Sequence, residues 1–189
     1  MFLVQENSKG YAKMIVSIYW KEDLLKFVKK FRPVKKPPRW SERLQVNFEK
    51  EIIIAFFMIR KLADCHKFSP KFLRYKAGIY RSRNTGKVNN LNFASIERLY
   101  DIAKREKVYV DIRFLCNQLM HSGAVYGVRG MDRNWEGIYT CSDFERQRYL
   151  YFIPIKEVIR ILKLASSDYP NQIRYSYCRA AADYQVMTG

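Results

Sequence analysis

The chain has 189 residues, 48% of them hydrophobic, which is enough to build a core and excludes an intrinsically disordered protein. Lys and Arg number 35 against 18 Asp and Glu, a formal charge of +17, so a polyanion is the partner to expect, with nucleic acid ahead of an anionic membrane. A soluble protein of high isoelectric point with no such ligand is the plainer alternative. The four cysteines, Cys65, Cys116, Cys141 and Cys178, form no CxxC pair, and the two histidines fit no ligand spacing. Free thiols are therefore expected, and neither a zinc site nor a cofactor. Met1–Lys9 lacks a signal-peptide pattern, and the longest unbroken apolar run, residues 52–59, is far short of the roughly 20 residues that span a bilayer. No membrane partner and a cytoplasmic location are expected.

In chain order, residues 11–31 read as a helix with Met14, Ile15, Ile18, Tyr19, Leu25 and Val28 on a broad apolar face. Residues 32–40 hold Pro33, Pro37 and Pro38 and read as a loop. Ser41 suits the N-cap of a long helix to about Lys67, with Glu42 in its first turn. Within it, Ile52 to Ile59 is apolar on every side, as for a helix central in a bundle or half in a subunit interface; a buried strand is the competing reading. Residues 70–90 look irregular. Residues 92–106 and 108–122 read as two further helices, the second broken by Gly123, Gly127 and Gly130. Residues 137–141 and 148–153 read as a β-hairpin around the polar turn 143–147. Pro154 opens a last helix to residue 166, and the aromatic tail 170–189 packs as a short helix or stays loose. The expected fold is mainly α: one domain over residues 1–189, a helical bundle of about five helices with a β-hairpin inserted before the last long helix.

Two tracts concentrate the positive charge. Residues 29–43 carry Lys29, Lys30, Arg32, Lys35, Lys36, Arg39 and Arg43 against the single acid Glu42. Residues 65–96 carry Lys67, Lys71, Arg74, Lys76, Arg81, Arg83 and Lys87 before any acid, interleaved with Phe68, Phe72, Tyr75 and Tyr80. Cations track a phosphate backbone and exposed rings stack on unpaired bases, so Lys35, Lys36, Arg39, Lys71, Arg74, Lys76, Arg81, Arg83 and Lys87 are the candidate nucleic-acid contacts. A solvated loop with its rings anchored in the core accounts for the same pattern. His66, at a helix end, reads as structural.

The segment 111–122, DIRFLCNQLMHS, carries the candidate chemistry. Ile112, Leu115, Cys116, Leu119 and Met120 make an apolar stripe. Arg113, Asn117 and His121 follow at i, i+4 and i+8 along another edge. A guanidinium holds phosphate, an imidazole exchanges protons near neutral pH, and an amide orients either one, a set sufficient for metal-free RNA cleavage. A polar stripe is also what any amphipathic surface helix shows.

CNQLMHS on a late helix resembles the signature helix of the HEPN superfamily. That likeness implies a small helical bundle, often a toxin or defence protein, whose active members are metal-independent endoribonucleases with the motif at a homodimer interface. Asn117 would match the family's polar position and His121 its histidine. Cys116 stands where the family carries Arg, which leaves Arg113, eight residues before His121, as the phosphate clamp. Three functions are in view: such a ribonuclease, a non-catalytic RNA-binding or protein-interaction module, and a regulatory homodimer that presents its basic face to an acidic protein.

Overall fold

The structure is a computed structural model and describes residues 16–32, 41–93, 95–130 and 134–188. Lys35, Lys36, Arg39 and the proline-rich loop, with the first residues of the expected 11–31 helix, lie outside them.

Helix α1, Ser17–Phe31, buries Lys21, Leu24, Val28 and Phe31, one face at three- and four-residue spacing. Helix α2, Glu42–Asp64, starts where expected: the Ser41 hydroxyl accepts the Leu44 N–H at 3.3 Å. Its apolar run is helical. Ile52, Ala55, Phe56, Met58 and Ile59 enter the core, while Ile53, Ile54 and Phe57 stay 38–47% exposed. Its C-terminus closes with the His66 N–H on the Ala63 carbonyl and the Lys67 N–H on that of Leu62, His66 taking φ +55°. A single turn, α3 (Pro70–Leu73), follows.

Strand β1, Lys76–Arg83, then runs through the stretch expected to be irregular. The expected helix 92–106 shrinks to the turn α4, Ile96–Leu99, and the chain goes on into β2, Glu106–Asp111. Helix α5, Ile112–Met120, is thus shorter than the expected 108–122. Asp111 ends the strand and caps the helix, its carboxylate accepting the Phe114 N–H at 2.7 Å. The helix ends before the glycines, as expected; Gly123 and Gly127 then lie within β3, Ser122–Arg129, and Gly130 follows it. Gly127 is where α2 touches this strand: its N–H donates to Glu49 (3.1 Å) and its carbonyl accepts from Gln45 (3.0 Å), an approach in which a Cβ would fall 2.7 Å from the Trp135 ring.

The expected hairpin is present as β4, Trp135–Ser142, paired with β5, Tyr149–Pro154. It is not an insertion. It lies inside a five-stranded antiparallel sheet ordered β2-β1-β5-β4-β3. Helix α6, Ile155–Ser167, follows at once and buries Ile155, Val158, Ile161, Leu162 and Ala165. The tail, expected as a short helix or loose, forms a separate two-stranded ribbon of β6, Ile173–Cys178, and β7, Asp183–Thr188.

The mainly α bundle is therefore corrected to a mixed fold. Ala77, Ile79, Ile138, Tyr151 and Ile153 point from one face of the sheet into a core filled by α1, α2, α5 and α6. A smaller cluster, Val88, Leu99, Tyr100 and Leu150, covers part of the other face. The helix-like spacing of residues 92–106 yields one turn, Ile96–Leu99. It did not become one helix because this segment covers a sheet that its own periodicity does not reveal. No helix among the described residues is long and apolar enough to cross a membrane.

A candidate nucleic-acid interface

Three elements converge on an open cleft of about 540 Å³. The second half of α2 supplies Arg60 and Ala63, the segment from the end of α3 to the start of β1 supplies Leu73, Arg74 and Lys76, and the α5 N-terminus supplies Asp111, Ile112, Arg113 and Cys116. Asp64 joins two of the cations, accepting from Arg60 Nε at 2.9 Å and from the Arg113 guanidinium at 3.2 Å. Arg60 also donates to the Asn117 amide oxygen. Lys76 stands 4.0 Å from Asp111. Arg74 is exposed and has no ion pair among the described residues. Four cations thus face two carboxylates, and the surplus is positive and open to solvent, where an approaching phosphate displaces little. Cys116 forms part of the wall but is fully buried, and burial pushes its thiol up to about 12, so it is an inert thiol at neutral pH.

The sequence-expected residues divide. Arg113, Arg74 and Lys76 come together here, joined by Arg60, which nothing in the sequence had singled out; its signal was the i, i+4 pairing with Asp64 on one face of α2. Asn117 serves the α2–α5 junction. His121 caps the far end of α5, about 12 Å along the axis from Arg113 at 1.5 Å per residue. Its ring is exposed, and among the described residues its bonds are those of its backbone: the N–H on Asn117 and the carbonyl accepting from Asp143, both at 3.1 Å.

The second basic tract does not form one surface. Lys76 and Arg83 are the first and last residues of the eight-residue β1, about 23 Å apart at 3.3 Å per residue, and Lys87 lies beyond them. Arg81 is tied to Glu106 at 2.8 Å and stacks over Tyr149 at 4.4 Å. Lys71 lines a different hollow, beside Tyr75, Leu164 and Asp168. Of the interleaved rings, Phe68 and Phe72 are core and Tyr75 donates its hydroxyl to Glu157 at 2.6 Å. Tyr80 alone reaches the outer sheet face. No group of three His, Cys, Asp or Glu among the described residues is placed to hold a metal ion.

No family model, no curated protein and no solved structure matches this chain. The likeness to the HEPN superfamily is corrected on that result and on the fold. The CNQLMHS segment sits on a nine-residue helix packed beside an antiparallel sheet, not in a helical bundle. The position where that family carries Arg is a fully buried Cys116.

Proposed function

We propose that the protein binds RNA and does not cut it, with the phosphate backbone held by Arg60, Arg74, Lys76 and Arg113. The convergence of these four side chains, from three elements, on one open cleft carries the reading, together with the formal charge of +17. Against cleavage stand the engagement of Arg113 with Asp64 and of Asn117 with Arg60, and the separation of His121 from Arg113 by two turns of α5. A general acid and its phosphate clamp have to meet at one phosphorus.

The test is RNA binding measured across a salt series. Log affinity is expected to fall linearly with log salt, by about 0.7 per phosphate contact for a single strand. Arg74→Gln, which breaks no ion pair, is expected to weaken binding and to reduce that slope by about one contact. The RNA should be recovered intact from both the wild type and His121→Ala. Cleavage by the wild type that His121→Ala abolishes would overturn the reading.

A further inference from the structure

Residues directly opposite each other in an antiparallel sheet project from the same face. The strand register aligns Tyr126 with Tyr139, Tyr139 with Phe152, Phe152 with Tyr80 and Tyr80 with Lys107, one row across all five strands. Ile79, Ile138, Tyr151 and Ile153 face the helices, so this row lies on the outer side. Val88, Phe93, Leu99, Tyr100 and Ile102 cover one part of that side. Beside the covered part is an open hollow of about 470 Å³ lined by Tyr80, Phe152, Pro154, Ala103, Arg105 and Glu136.

The chemistry of the hollow is specific. The Arg105 guanidinium lies over the Phe152 ring at 4.9 Å; on the edge strand β2, outside the lining of the hollow but on the same outer sheet face, Lys107 Nζ is 5.3 Å from the centre of the Tyr109 ring. Tyr109 leans across Gly78, 3.5 Å from where a Cβ there would stand, and keeps 65% of its surface in solvent. A large ring left that exposed beside cations is unlike a core residue and suits stacking on a neutral π-system joined to anionic groups that the cations can meet. Glu136 offers two acceptor oxygens and no donor. That matches a base edge made of N–H groups, and guanine presents two side by side.

We propose that this hollow takes an unpaired nucleotide of single-stranded RNA. The base lies on the Tyr80 and Tyr109 rings, its donor edge meets Glu136, and the flanking phosphates meet Arg105 and Lys107. The inference rests on the RNA-binding reading above and adds to it the class of RNA: strands with unpaired bases, guanine preferred.

Two fluorescent probes test it, a U-rich octamer with one central G and a fully paired 16-base-pair RNA duplex, each titrated with the full chain. Tyr109→Ala, an exposed truncation, is expected to weaken octamer binding by about 5- to 100-fold and duplex binding by less than about 2-fold, since a paired base offers no free face. Glu136→Gln is expected to erase the preference for the central G over a central U. Arg74→Gln should weaken both probes alike. If Tyr109→Ala and Tyr80→Leu bind the octamer as the wild type does while Arg74→Gln weakens it, the nucleotide site is wrong and the cleft reading stands. An equal loss on both probes with Tyr109→Ala also overturns the site. If the wild type binds neither probe, both readings fall.

Discussion

Lys21 illustrates how one side chain joins three helices. It is 1% exposed, and its Nζ donates to the carbonyls of Lys67, at 3.0 Å, and of Asp168, while resting 3.5 Å from the Tyr169 ring. The Asp168 carboxylate in turn accepts from the Ser69 N–H and hydroxyl at 2.7 and 2.6 Å, fixing the start of α3. Burial lowers the Lys21 ammonium to about 8, with Asp168 acting the other way. The folded chain therefore binds fewer protons at this group than the unfolded chain from about pH 8 up to the ordinary lysine range. Across that window its contribution to stability rises with pH, and below it the cost of burying the charge is fully present. Lys21→Met removes the donor from two carbonyls and is expected to cost about 1–3 kcal/mol at pH 7. Because the variant lacks the titration, the advantage of the wild type should widen between pH 8 and 10. Urea unfolding of both proteins at those pH values measures the two effects.

At the level of the element, the end of α2 is the clearest case of a local signal and a local cost. His66 occupies the left-handed position that closes the helix, with both closing hydrogen bonds at 3.0 Å or less. Glycine takes that conformation without the Cβ clash that costs other residues about 1–2 kcal/mol. His66→Gly is therefore expected to stabilise the protein by about 0.5–1 kcal/mol, after allowing for the looser unfolded chain. A thermal melt should shift upward by about 1–4 °C for a chain of this size. Histidine gives no turn signal in a sequence, so its structural role could be read only in general terms. The Asp111 junction is the reverse case. Val108, Tyr109 and Val110 have strand character, yet a helical period read from Ile112 onward extends back through them, because both apolar patterns happen to agree in phase across the cap.

For the whole molecule, the two sheets carry different weight. The five-stranded sheet holds the core, whereas the β6–β7 ribbon is a lone hairpin whose residues are mostly exposed, a unit of marginal stability in water. A chain ending at Pro170 keeps Asp168 and Tyr169 beneath Lys21 and is expected to melt within about 2 °C of the full chain, a loss of under about 1 kcal/mol. A drop of 10 °C in calorimetry would show that the ribbon is part of the folded unit.

By itself the sequence determined the elements whose information is local. Helices α1, α2 and α6 follow from apolar spacing and the caps at Ser41 and Pro154, and the β4–β5 hairpin follows from two aromatic strands around a short polar turn. Three cations of the cleft, Arg74, Lys76 and Arg113, were visible as residues but not as a set, and Arg60 was not singled out. Tertiary structure alone decided that β1 pairs with β2 and with β5, about 70 residues further on, and that β3 joins the opposite edge beside β4. A strand is completed by hydrogen bonds to partners distant in the chain, so β1, β2 and β3 carry only half of their own specification. The same pairing turned Gly127 from a breaker into a point of close approach, gathered Arg60, Arg74, Lys76 and Arg113 into one cleft, and aligned an aromatic row across four strands with Lys107 at its end on the fifth.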